Sequence, residues 1–210
     1  MELTYLVRPR QTALQKPPLL ILLHGIGSNE NALFALAEQL PGKYLVVALR
    51  APIGLGENKY GWYQADFSSG KPVINHAQEV QSRQAIIDCI GRLRAILDYD
   101  EQEVYLCGFS QGAIMSYSVA LTRPDLVKGI AILSGRLLEE IKPSMAPKEK
   151  LQQLRIYISH GINDTVLPVQ YARNAVAFLT SLDLTPTFNE YPAGHQLNTA
   201  MHADLVKWLG

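Results

Sequence analysis

GFSQGAIMSYSVAL, residues 108–121, sets one serine, Ser110, between two glycines, Gly108 and Gly112. The residues before it, EVYLC from Glu103 to Cys107, read as a buried strand, and those after it carry apolar groups at helical spacing. Ser110 therefore falls where a strand turns sharply into a helix. In such a strand-turn-helix elbow the serine backbone is strained, and Gly108 and Gly112 lack the Cβ atoms that would collide as the helix folds back over the strand. The predicted result is a hydroxyl presented at the carboxyl edge of a sheet. Glycine and serine are common, so the motif gains meaning only from partners.

Working outward, apolar runs of strand length alternate with longer periodic segments, the pattern of βα units around a mostly parallel sheet with helices on both faces. The strands read as ELTYLVR near the start, LLILL at 19–23, YLVVAL at 44–49, VYLC at 104–107, GIAIL at 129–133, RIYIS at 155–159 and TPTFNEY at 185–191. The helices read as ENALFALAEQL from Glu30, about Asn75 to Leu97, one opening at Ser110, Val169–Leu182 and Asn198–Leu209. Nothing divides the chain, so residues 1–210 are expected to form a single domain. Residues 51–74 and 136–154 are long for connections, and long loops at the carboxyl edge of a parallel sheet are where ligands are gripped. The first carries Tyr60, Trp62, Tyr63 and Phe67, which either line a pocket, with Trp62 and Tyr63 the candidates, or pin the loop to the body. The second has room for a short helix in its Lys148–Leu154 half.

A serine hydroxyl at neutral pH needs a base within hydrogen-bond reach and an acid to orient that base. Of five histidines, His195 lies in YPAGHQLN, after one strand and before the last helix. His24 and His160 sit in His-Gly pairs at strand ends, while His76 and His202 fall in helices and read as surface or packing residues. For the acid, SHGINDTVLP (159–168) puts Asp164 in a turn after the strand RIYIS; the competing reading is a helix cap for the helix starting at Val169. The chain order Ser110, Asp164, His195 favours a triad, because only a parallel sheet brings the ends of three separate strands to one edge. An oxyanion would need two N–H donors: Gln111 supplies one, and Ile26, in the turn His24-Gly25-Ile26-Gly27, supplies the other, the alternative being an ordinary glycine-rich turn. That turn lacks the lysine and spacing of a phosphate-binding loop.

With 48% hydrophobic and 18% charged residues, the 210-residue chain can bury a substantial core. Nineteen basic residues balance nineteen acidic ones, so no field is built for nucleic acid or an anionic membrane, and a small neutral or weakly charged ligand is expected. Near-zero net charge permits a homodimer. Cys89 and Cys107 lie in a predicted helix and strand; a disulfide is open, but free buried thiols fit better. No signal peptide or membrane span is read, so the expected location is the cytoplasm.

These residues resemble the phospholipase/carboxylesterase group of small, cap-less α/β-hydrolases, which includes acyl-protein thioesterases. The resemblance is carried by LLHGIGSNE (22–30), RAP (50–52), GFSQGA (108–113), SHGINDTVLP (159–168) and GHQL (194–197). It implies an α/β-hydrolase fold without a large cap, Ser110 as nucleophile, Asp164 and His195 as its relay, and the Ile26 and Gln111 amides as oxyanion hole. No metal or organic cofactor is implied. The expected activity is hydrolysis of short-chain carboxylic esters through an acyl-serine. Thioesters of proteins or coenzyme A and lysophospholipids are related alternatives, and a non-catalytic binding module is the alternative of another class. Ala113, Ser28-Asn29 and Thr165 depart from common residues of the group, which bears on substrate preference more than on chemistry.

Overall fold

The computed structural model describes residues 2–13, 15–66 and 73–210. In chain order the strands are β1 (Tyr5–Arg8), β2 (Pro18–Leu23), β3 (Leu45–Leu49), β4 (Ile53–Gly56), β5 (Lys59–Gly61), β6 (Ala65–Asp66), β7 (Val73–Ile74), β8 (Asp100–Phe109), β9 (Gly129–Leu133), β10 (Arg155–Gly161) and β11 (Thr187–Tyr191). The helices are α1 (Glu30–Phe34), α2 (His76–Ile96), α3 (Gln111–Thr122), α4 (Lys148–Leu151), α5 (Gln170–Ser181) and α6 (Thr199–Leu209). Seven strands form one sheet in the order β1-β3-β2-β8-β9-β10-β11, parallel throughout except for β1, which runs antiparallel to β3.

The strands read from sequence supply that sheet, and their period of two sorts its core into two layers. Leu19, Ile21 and Leu23 of β2, Leu106 of β8 and Ile132 of β9 share one apolar cluster with Ile86 and Ile90 of α2, Met115 of α3 and Leu179 of α5. Leu20 and Leu22, Cys107 and Leu133 face the other side and share a second cluster with Leu33 of α1 and Leu205 and Leu209 of α6. Helices thus cover both faces, and burying a side chain such as Ile86 or Leu106, each fully enclosed, contributes about 1.5–3 kcal/mol. This is the α/β-hydrolase architecture, with no large cap among the described residues.

Three expectations change. The helix expected from Glu30 stops at Phe34 and gives way to a 3-10 turn at Ala37–Gln39, which lets Leu33, Ala37 and Leu40 all bury against the sheet. β8 begins four residues before the apolar run, because its acidic half, Asp100–Glu103, continues the strand at the solvent edge. The stretch 51–74 holds two small antiparallel ribbons, β4 with β5 and β6 with β7, whose strands of two to four residues are too short to show a period. The segment 136–154 carries a 3-10 turn at Glu139–Ser144 and then α4.

Strand order reverses between β2 and β8, since β3 lies on one side of that pair and β9 to β11 lie on the other. The loops leaving such a switch point diverge and open a crevice at the carboxyl ends of the strands. His24–Gly27 follows β2 and Ser110 follows β8, so both arrive at this crevice.

Candidate active site

β8 ends at Phe109 and α3 starts at Gln111, so a single residue makes the turn, and Ser110 holds φ 53° and ψ −116° to do it. A non-glycine residue in that region costs on the order of 1–3 kcal/mol and persists only where its surroundings dictate it. Here they do. Ser110 N–H donates to Leu133 C=O at 2.9 Å, and Ile114 N–H donates to Ser110 C=O at 3.1 Å. A Cβ at position 108 would lie 2.2 Å from Gly112 O, and one at position 112 would lie 1.9 Å from Leu23 O. The glycines are thus required by backbone passing backbone.

The three residues expected to act together meet. His195 Nε2 is 2.9 Å from Ser110 Oγ, and His195 Nδ1 is 2.6 Å from Asp164 Oδ2. Asp164 follows β10 and His195 follows β11, so the two loops reach back across the sheet edge to the elbow. Asp164 is enclosed: Oδ1 accepts from Val166 N–H at 2.9 Å and Leu167 N–H at 2.8 Å, and Oδ2 also faces His160 Nε2 at 3.3 Å. Asp164 therefore caps its own turn, while α5 begins at Gln170 with no side-chain cap from it. The imidazole of His195 is also held by the Phe109 ring, 5.1 Å away between centroids.

His24 organises the opposite wall. Its Nε2 accepts the Ala51 N–H at 3.0 Å, which leaves the proton on Nδ1, 2.7 Å from Gly25 O. Burial pushes its pKa below the ordinary value, in keeping with a neutral ring used as a strut. The next turn is pinned by β-type bonds, Gly27 N–H to Tyr60 C=O and Tyr60 N–H to Ser28 C=O, both 2.8 Å. Tyr60 in turn lies under Arg50, whose guanidinium is 4.8 Å from the ring centroid and forms a two-pronged ion pair with buried Glu30. That pairing holds the Glu30 carboxyl below its usual pKa. Among the described residues, no protein acceptor takes the N–H of Ile26 or of Gln111.

The expected pocket residues separate. Tyr63 lines a cavity of about 60 Å³ together with Ser110, Gln111, Ile26, Ile114 and Arg136. Trp62, expected beside it, does not: its indole is fully buried, its Nε1–H donates to His24 C=O at 2.9 Å, and its ring packs on His24 at 5.7 Å. The two residues form a bend after β5 in which Gln111 takes the Trp62 N–H and gives an N–H to the Tyr63 C=O, so the bend turns Trp62 to His24 and Tyr63 to the cavity. Tyr60 pins the loop, and Phe67 lies outside the described residues. His76 opens α2 and His202 sits in α6, apart from the cluster.

Sequence reasoning missed the side chain of Gln111. Its Oε1 accepts Trp62 N–H and its Nε2 donates to Tyr63 C=O, both at 2.7 Å, tying the pocket wall to the elbow. It also missed His160, fully buried behind Asp164, although its place in a His-Gly pair ending a strand was a signal. Cys89 and Cys107 are free and buried, and burial raises the Cys107 thiol to about 12, which leaves it unreactive.

Residues 8–210 match the family model described as Phospholipase/Carboxylesterase. A protein named "Probable carboxylesterase SOBER1-like" from Arabidopsis thaliana is 25% identical over 203 residues, covering 90% of this chain and 77% of that one. "Acyl-protein thioesterase 1" from Kluyveromyces lactis is 34% identical over 79 residues, 37% of this chain and 34% of its own length. In fold, the crystal structure of the Bacillus cereus carboxylesterase superposes with a TM-score of 0.85 at 18% identity, covering 99% of this chain and 93% of that chain. Among the described residues no helix is long and apolar enough to cross a membrane. With a family match running from the first strand to the last residue and the sheet order above, the chain belongs to the phospholipase/carboxylesterase family of serine α/β-hydrolases.

Proposed function

We propose that the protein is a carboxylesterase that hydrolyses short-chain esters through an acyl-serine, with Ser110 as nucleophile, His195 as base and Asp164 as the acid behind it. The observation that carries this reading is the unbroken hydrogen-bonded chain from Ser110 Oγ through both nitrogens of His195 to Asp164 Oδ2. In the first step Ser110 Oγ attacks the ester carbonyl while its proton passes to His195 Nε2, and Asp164 stabilises the imidazolium through Nδ1–H. The oxyanion is held by the N–H groups of Ile26 and Gln111, a donor of this kind contributing roughly 3–4 kcal/mol. Collapse expels the alcohol, which takes the proton from His195. A water activated by the same nitrogen then attacks the acyl-serine and releases the acid.

The preference for short chains is supported by the cavity. At about 60 Å³ it has room for about four to six waters, at roughly 10–15 Å³ each. Thioester hydrolysis is the second reading, favoured by the stretch shared with the yeast acyl-protein thioesterase. The test is steady-state kinetics on matched oxygen esters and thioesters with the wild type and Ser110→Ala. The expected result is a loss of kcat on the order of a millionfold in the variant and a kcat/KM that favours short oxygen esters. Unchanged turnover in Ser110→Ala would overturn the reading, and higher kcat/KM on the thioesters would select the second.

A further inference from the structure

Arg136 is an anomaly in the pocket. The cavity beside Ser110 is lined mostly by apolar side chains, including Ile26, Ile114 and Leu167, and Arg136 is its one charged lining residue among those described. Arg136 is half-buried and lines the cavity, yet its guanidinium forms no ion pair or hydrogen bond with any described residue and lies 5.6 Å from the Tyr171 ring centroid. A cation in that setting loses hydration without gaining a carboxylate, an arrangement that a ligand anion would complete. Its planar fork matches a carboxylate with two parallel bonds.

The fold brings Arg136 to the same sheet edge as Ser110. β8 and β9 are neighbours in register, Phe109 opposite Leu133, so Ser110 lies level with Ser134 and Arg136 follows two residues on. Neighbouring strands are about 4.8 Å apart. The turn between them and the pocket is held firmly: Ser134 adopts φ 50° and donates its N–H to Ser159 C=O at 2.8 Å, and Leu133 C=O receives Ser110 N–H. Ser110 and Arg136 therefore leave neighbouring strands at the same sheet edge and line one cavity. Resting on the serine esterase reading above, we propose that the substrates are small esters whose acyl part ends in a carboxylate, that is, half-esters of short dicarboxylic acids, with Arg136 binding the free carboxylate while Ser110 attacks the ester carbonyl. The whole-chain charge balance conceals this local preference, because a sum over nineteen basic and nineteen acidic residues does not say where one arginine sits.

The test compares monomethyl succinate with methyl butyrate, which replaces the free carboxylate by a methyl group, by pH-stat kinetics on the wild type, Arg136→Gln and Arg136→Lys. Succinate binding is read in parallel by thermal shift. The wild type is expected to show at least tenfold higher kcat/KM on monomethyl succinate. Arg136→Gln should lose that margin through KM, with kcat/KM on monomethyl succinate falling about tenfold more than on methyl butyrate, and Arg136→Lys should recover part of it. Succinate should raise the Tm of the wild type and not of Arg136→Gln. If methyl butyrate is turned over equally well or better, or if Arg136→Gln slows both esters alike, the carboxylate site is refuted and the esterase reading stands. If neither ester is hydrolysed while succinate raises Tm only when Arg136 is present, the anion site stands and the esterase reading falls.

Discussion

Two glycines in helices should respond to alanine with opposite signs. Gly112 opens α3 against the end of β2, and a Cβ there would lie 1.9 Å from Leu23 O and 2.4 Å from Leu23 C. Real Cβ contacts do not fall below 3.0 Å, so backbone must move by about 1.1 Å, and the atoms in the way belong to a central strand bonded on both sides. No flexible side chain can give way. Overpacking of tolerant sites costs about 1–3 kcal/mol, and this rigid one should cost at least about 3 kcal/mol. Gly91, in the exposed middle of α2, has nothing within 4 Å of its would-be Cβ, so alanine there should stabilise by about 0.5–1 kcal/mol. Urea denaturation followed by circular dichroism reads both. With a slope of about 3 kcal/mol/M, the Gly112→Ala midpoint should fall by about 1 M and the Gly91→Ala midpoint should rise by about 0.2–0.3 M. Gly112→Ala should also displace His24 and with it the Ile26 N–H, so its ester turnover should fall even in the fraction that stays folded. A Gly112→Ala midpoint within 0.2 M of the wild type would refute the close passage of α3 over β2.

Other perturbations test separate parts of the site. Asp164→Asn should leave the fold standing but remove the acceptor that fixes His195, with kcat down by on the order of 10⁴ and KM little changed in steady-state assays. Gln111→Ala keeps the backbone N–H but leaves Trp62 N–H and Tyr63 C=O unpaired; a stability loss of about 2–4 kcal/mol with a raised KM is expected from urea melts and kinetics. Acid should weaken the fold in two stages. The unfolded chain protonates His24 below about 6.5 whereas the folded chain resists, so stability is lost as pH falls from that point. Glu30, whose folded pKa lies below 4.5, adds a second loss under pH 4.5. Urea midpoints at pH 7.5, 5.5 and 4 should decline in that order, and His24→Gln, which keeps an acceptor for Ala51 N–H, should flatten the upper stage.

What could be read from the sequence was what repeats or what is chemically scarce. The seven sheet strands are apolar runs several residues long, and the elbow declares itself through Gly108 and Gly112 because backbone contact excludes every other residue there. Asp164 and His195 were found because each follows a separate strand of a parallel sheet. The illegible parts depend on contacts between distant segments. The ribbons within 53–74 are held by pairing such as Ser28 with Tyr60 and have no period of their own. Which of Trp62 and Tyr63 faces the pocket depends on a bend held by the side chain of Gln111, almost fifty residues away. Arg136 falls in a segment that reads as a long loop, but that it has no carboxylate partner among the described residues is visible only in three dimensions.

The most direct test of the account is whether Ser110 is an activated nucleophile. The purified protein should be treated with a fluorophosphonate probe beside Ser110→Ala and His195→Gln, with the modified peptide identified by mass spectrometry. The account predicts labelling of the wild type at Ser110, none in Ser110→Ala, and labelling slowed by orders of magnitude in His195→Gln. A folded wild-type protein that stays unlabelled, or that is labelled at another residue, would contradict it.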